Sequence, residues 1–200
     1  VEGRKHRVIG AKFGHFLDKP LSGVAKRVGL SPNAITLFGF GVMTAAALAF
    51  SQHLVAGALL MLLGGVFDML DGVVARNNGQ TTKFGAFLDS VLDRYADAFI
   101  LLGLSWFLYR SGQALGVFLA LGTIPGAFMV SYTRARAEGL GKKCETGLME
   151  RPERIILIAL GALSGYVMAA LWVLFTLTHF TVIQRMVYVH RLLGRDEGLS

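Results

Sequence analysis

With 200 residues, 54% of them apolar and only 16% charged, the chain falls outside the ordinary soluble class, where about a quarter of residues are charged. Its net charge of +7 is spread through loops between apolar blocks rather than gathered on one face, so no nucleic-acid partner is expected. A mean hydropathy of +0.55 and apolar blocks of roughly 20 residues point instead to an all-α, polytopic membrane protein.

Residues 1–32 interleave Lys5, Arg7, Lys12, Lys19, Lys26 and Arg27 with Val8, Ile9, Phe13, Phe16, Leu17 and Leu21. That mixture predicts an amphipathic juxtamembrane helix on the membrane surface. The opening VEGRKHRVIG has no apolar core or cleavage site, so no signal peptide is expected. The missing initiator Met suggests a trimmed or partial chain. Ser31-Pro32 is a helix start, with Ser31 as cap and Pro32 in the first turn.

Six transmembrane helices are predicted to follow, forming one domain over 33–195. Spans one to four fall near 33–51, 54–76, 84–109 and 114–135, and Pro125 is expected to kink the fourth. A polar loop is predicted over 136–148. The apolar stretch near 150–190 must hold two helices, broken at Ser164-Gly165, with the fifth span the shortest. Gly122/Gly126 and Gly161/Gly165 have the spacing that lets helices approach closely, within the chain or in a homodimer. His53, His179 and His190 have no useful partner spacing and are expected to pack or sit at an interface. Cys144 is the only cysteine, which fits a reducing compartment.

Nearly all Lys and Arg lie at the two ends and in the loops after spans two and four, and the opposite turns hold only Arg110. By the positive-inside rule both termini are cytoplasmic, as an even number of spans also requires, in a plasma-membrane protein.

Between Asp68 and Asp93, two acid pairs interrupt this apolar pattern. Asp68 and Asp71 are three apart, Asp89 and Asp93 four apart, so each pair shares one helix face. Both pairs fall at the cytoplasmic ends of spans two and three. Carboxylates in such surroundings are costly unless paired or bound to a cation. Pairing with Arg76 and Arg94 leaves excess negative charge, which a cation removes. All-oxygen donors suit Mg²⁺, Mn²⁺ or Ca²⁺ rather than zinc. Gly72 and Ala75 leave room for a ligand, Arg76 places a positive charge where a phosphate would lie, and Gly85 relieves crowding opposite. Asp97 is expected either to pair with Arg94 or to support the site.

Asp68-xx-Asp71-Gly72-xx-Ala75-Arg76, then Gly85-xxx-Asp89-xxx-Asp93, resembles the signature of the CDP-alcohol phosphotransferase family, membrane enzymes of phospholipid synthesis. The likeness covers essentially the whole chain. It implies that Asp68, Asp71, Asp89 and Asp93 hold Mg²⁺ or Mn²⁺, with Asp93 also the catalytic base. It further implies that Asn33, Thr36, Asp68, Gly72, Ala75, Arg76 and Gly85 bind the CDP part of a CDP-diacylglycerol-type lipid, that CMP is released, and that the protein is a homodimer.

The acceptor is read from SYTRARAEGLGKKCETGLMERPER and the last span. Ser131, Arg134, Arg136, Arg151, Arg154 and Arg185 are placed to gather at the cytoplasmic entrance, which suits a phosphorylated polyol. The segment resembles the branch acting on inositol 1-phosphate, with Arg134 where Lys is commoner. That resemblance assigns Ser131, Arg134, Arg154 and Arg185 to the acceptor phosphate. Glycerol 3-phosphate is the alternative acceptor. A cation-coupled transporter is disfavoured because these acids lie at the cytoplasmic end beside Arg76. An Asp-rich prenyltransferase is disfavoured because it lacks the Gly72-xx-Ala75-Arg76 continuation.

Overall fold

A computed structural model describes residues 31–77, 82–144, 146–196 and 198. Apart from Ser31 and Pro32, the expected surface helix over 1–32 lies outside the described residues. Among those described, the fold is all helical: α1 (Pro32–Phe50), α2 (Leu54–Asn77), α3 (Lys83–Arg110), α4 (Ala114–Gly139), α5 (Arg151–Ser164) and α6 (Val167–Asp196).

Local chemistry sets the helix ends. The Ala34 amide donates to Ser31 Oγ at 3.3 Å, and Pro32 occupies the first turn of α1, where a missing N–H costs nothing. Thr82 caps α3 in the same way, accepting from the Gly85 amide at 2.9 Å. Gly165, at φ 80°, ends α5 in the left-handed conformation that glycine adopts without a Cβ clash. The predicted loop over 136–148 needs correction at its start, because α4 continues through Pro125 to Gly139. Arg136, Ala137 and Glu138 are all good helix formers, so the charged turn extends the apolar span until Gly139 ends it.

Each helix packs chiefly against two others, in the closed order α1, α2, α5, α6, α4, α3 and back to α1. Met43, Phe50, Met61, Leu104, Leu119, Leu171 and Leu174 fill the interior. Small residues allow the close approaches. A Cβ on Gly103 of α3 would run into the Ala47 carbonyl of α1, and one on Gly161 into Ala170 of α6. Gly122 and Gly126 of α4 face Phe175 and His179 of α6. These glycines therefore serve intramolecular packing, and Gly165, with open space around it, is a cap and not a contact. His179 is a packing residue, its ring 4.7 Å from that of Phe175.

The outer surface is apolar, with Phe38, Leu48, Phe84, Trp106, Phe118 and Tyr166 exposed. Four helices (α1, α2, α4 and α6) are long and apolar enough to cross a membrane, and only 28–39% of each span is buried by protein. Their outward apolar faces need a hydrocarbon solvent, the mark of an integral membrane protein. Length and composition do not extend this to all six helices. The 14 residues of α5 reach about 21 Å at 1.5 Å per residue, short of a core about 30 Å thick. Charged residues interrupt α3, and they are the ones that build the site.

Candidate active site

The last turns of α2 carry Asp68 and Asp71, and α3 carries Asp89, Asp93 and, at its middle, Asp97. The two helices run antiparallel, so the acid-bearing ends meet. One carboxylate oxygen from each of Asp68, Asp89 and Asp93 lies within 4.8 Å of the others. Asp89 Oδ1 is buried without a hydrogen-bond partner. A void of about 10 Å³ lies among Thr36, Gly39, Asp68, Asp71, Asp93 and Arg151, room for about one water-sized ligand. An orphaned carboxylate oxygen and an all-oxygen donor set fit a hard divalent cation such as Mg²⁺ or Mn²⁺.

The fourth expected ligand, Asp71, lines the same void as Asp68 and Asp93. It is 7% exposed and accepts a 2.6 Å hydrogen bond from the Thr36 hydroxyl of α1. Thr36, expected on the nucleotide side, is thus joined directly to the acids. Asn33, one turn earlier, points its side-chain oxygen at α3, where a Cβ on Gly85 would come within 2.9 Å of it. Gly85 therefore relieves crowding, and its neighbours are Asn33 and the Thr82 cap. Gly72 lies half-buried on α2. Ala75 and Arg76 continue the α2 backbone, but their side chains lie outside the described residues.

Arg151, at the start of α5, is the principal counter-ion. Its Nη1 lies 2.6 Å from Asp68 Oδ2 and 2.7 Å from Asp93 Oδ1. Arg94, the partner weighed from sequence, approaches Asp93 only to 3.7 Å. Asp97 does not take Arg94 as partner either. It forms a buried pair with Arg154 at 2.5 Å and lies 3.6 Å from Arg151 Nε. The sequence offered one hint, two arginines flanking Pro152 at a helix start. A pairing that spans some sixty residues could not be read from spacing.

Beyond Arg151 opens a cavity of about 1100 Å³ between α3, α4 and the amino-terminal end of α5. All four sequence-predicted acceptor residues line it: Ser131, Arg134, Arg154 and Arg185. Arg94 and Glu150, not assigned from sequence, line it too, whereas Arg136 is exposed and does not. The arginines differ in freedom. Arg185, 1% exposed, donates to the Thr146 carbonyl at 2.6 Å, to the Val130 carbonyl, and to Glu150 Oε1 at 2.9 Å. Gly147, at φ 153°, leaves space for that guanidinium, which a Cβ would meet at 2.9 Å. Arg154 spends one nitrogen on Asp97 and another on the Met149 carbonyl at 3.0 Å. Arg134 is more exposed and is held by Glu138 at 3.0 Å.

A carboxylate cluster beside an arginine-lined cavity can hold a metal-bound diphosphate on one side and an anionic acceptor on the other. The comparisons with known proteins agree. Residues 29–186 match the family model described as CDP-alcohol phosphatidyltransferase. An archaetidylinositol phosphate synthase from Methanothermobacter thermautotrophicus is 44% identical, over 89% of this chain and 92% of its own length. A phosphatidylinositol phosphate synthase from Mycobacteroides abscessus is 37% identical, over 85% of this chain and 82% of its own. The Mycobacterium tuberculosis phosphatidylinositol phosphate synthase, solved with CDP-DAG bound, is 34% identical and superposes with a TM-score of 0.78, covering 86% of this chain and 93% of that one. The same enzyme has been solved in complex with manganese and citrate, at the same TM-score and identity, covering 86% of this chain and 88% of that one. With a family match over most of its length and relatives this similar along nearly whole chains, the protein belongs to the CDP-alcohol phosphatidyltransferase family.

Proposed function

We propose that this protein transfers the phosphatidyl-type group of a CDP-linked lipid, CDP-diacylglycerol or a close analogue, to inositol 1-phosphate and releases CMP. The observation that carries this reading is the junction at Arg151, where the aspartate cluster adjoins a cavity lined by all four arginine and serine side chains assigned to the acceptor. The relatives named for inositol phosphate products, and the one solved with CDP-DAG, support the same substrates.

Asp68, Asp71, Asp89 and Asp93 would hold a divalent metal, Mg²⁺ or Mn²⁺, with Asp71 oriented by its hydrogen bond from Thr36. The metal, when bound, neutralises charge on the diphosphate, which is most of what phosphoryl transfer asks of an enzyme. Asn33, Thr36, Asp68, Gly72, Ala75, Arg76 and Gly85 form the CDP side of the site. Ser131, Arg134, Arg154 and Arg185 hold or frame the acceptor phosphate. Asp93 takes the proton from the acceptor hydroxyl. That oxygen then bonds to the β-phosphorus, the bond from β-phosphorus to the bridging oxygen breaks, and CMP leaves with the electron pair. Because Arg154 and Arg185 are already tied to the protein, Arg134 and the arginines nearer the aspartates make the adjustable contacts.

In this reading residues 33–195 form one catalytic domain with all six helices embedded, and residues 1–32 lie along the membrane surface. The short α5 enters from the side where the site opens and need not match the full bilayer thickness if the membrane thins locally. Both termini and the site face the cytoplasm by the Lys/Arg distribution, in the plasma membrane, and the protein works as a homodimer.

Purified protein supplied with CDP-diacylglycerol, Mn²⁺ and either inositol 1-phosphate or glycerol 3-phosphate tests this directly. CMP release is expected with inositol 1-phosphate. Release with glycerol 3-phosphate alone would reassign the acceptor, and release with neither would remove the reaction itself.

A further inference from the structure

Among the described residues, Arg151 alone lines both the small void among the aspartates and the large arginine-lined cavity. Its attachments differ in kind from those of its neighbours. Arg154 and Arg185 each donate to backbone carbonyls, which fix them whatever ligand is present. Arg151 instead makes ion pairs with Asp68, Asp93 and Asp97. Two of those three acids belong to the group whose oxygens converge to hold a metal. A guanidinium and a divalent cation compete for the carboxylates of Asp68 and Asp93, and like charges a few ångströms apart repel in a half-buried site. The side chain has four rotatable bonds, and the cavity it borders has ample room for it.

We propose that Arg151 is an exchangeable counter-ion that couples the two halves of the site. With no metal bound it holds Asp68 and Asp93. When a divalent cation takes those carboxylates, Arg151 is displaced toward the cavity, where its guanidinium meets the phosphate of the acceptor. Asp97, held by Arg154, lies 3.6 Å from Arg151 Nε and keeps the stem nearby while the distal nitrogens move. Metal and acceptor would then bind with positive cooperativity. Each removes a cost the other would otherwise meet, and by linkage the effect is reciprocal. This inference rests on the metal reading of Asp68, Asp89 and Asp93.

The test is Mn²⁺ affinity without turnover. The full chain in detergent is titrated with Mn²⁺ and the free ion is followed by its electron paramagnetic resonance signal. Arg151→Gln removes the competing cation and should bind Mn²⁺ about tenfold more tightly than the unaltered protein, a coupling of ordinary size, with Arg151→Lys between them. A general structural role would lower affinity, not raise it. Replacing chloride by sulfate at constant ionic strength, as a stand-in for the acceptor's anionic group, should tighten Mn²⁺ binding in the unaltered protein and leave Arg151→Gln unchanged. Equal or weaker binding by folded Arg151→Gln overturns the exchange. If that variant does not fold, absence of the sulfate effect in the unaltered protein overturns it equally well. Asp89→Asn separates the two readings. Loss of Mn²⁺ binding there, with an unresponsive Arg151→Gln, leaves the metal site standing and removes only the exchange, whereas retained binding removes the metal site and the exchange with it.

Discussion

Thr36 and Asp71 show how much a single contact carries at this site. Asp71 is 7% exposed, and its hydrogen bond from Thr36 is 2.6 Å long. Thr36→Val keeps the shape and deletes the donor, so it should destabilise the protein by about 1–3 kcal/mol, read as a fall in the thermal unfolding midpoint in detergent. Arg154 makes a second, larger case. Sequence assigns it to the acceptor phosphate, yet it is 3% exposed and already neutralises buried Asp97. Arg154→Ala strands that carboxylate, and breaking a buried pair from one side costs about 3–5 kcal/mol. The expected result is a sharp loss of folded protein, and a well-folded variant altered only in acceptor KM would contradict this account. Asp93→Asn keeps volume and hydrogen-bonding capacity while removing the base and one carboxylate charge. CMP release should fall at least about a hundredfold, the lower range for a general base.

Helix contacts decide where those residues sit. Gly103 lets α3 lie against the Ala47 carbonyl of α1, and α1 is the element that brings Thr36 to Asp71 while α3 brings Asp89 and Asp93. A methyl group at Gly103 meets backbone, which cannot rotate aside, so Gly103→Ala should separate the two helices and lower both stability and CMP release. Gly41, on α1, has open space around the position of a Cβ. Gly41→Ala should therefore be neutral or stabilising by about 0.5–1 kcal/mol, from helix propensity alone. Comparing unfolding midpoints of the two variants isolates close packing from propensity. A similar logic governs α5. Only 14 residues long, it serves less as a span than as a carrier that inserts Arg151 and Arg154 among the acids of α3.

For the whole molecule, the closed ring of helices creates an interior that is apolar through most of its depth and ionic at one end. Among the described side chains, acids from α2 and α3 outnumber their arginine partners at the site, so a bound divalent cation should stabilise the fold as well as serve the reaction. A ligand at a hundred times its Kd adds about 2.7 kcal/mol when it binds only the folded state. Saturating Mn²⁺ should accordingly raise the unfolding midpoint, EDTA should reverse the rise, and Asp89→Asn should abolish it. An equal rise in Asp89→Asn would place the stabilising ion elsewhere.

Sequence alone determined the number of helices among the described residues, most of their limits, the break at Gly165, the aspartate pairs and the four side chains that line the cavity. Those properties are written locally, in apolar block length, in the Ser31 cap, and in the three- and four-residue spacing of acids on a helix face. The same spacing could not show that Asp71 is bonded to Thr36, nor foresee that Arg154 would be committed to Asp97. Only the tertiary structure decided these points, and above all that Arg151 stands between the carboxylates and the cavity. Pairing among ionic groups depends on which helix ends meet in space, and the closed packing order of six helices, not any periodicity along the chain, sets which ends those are.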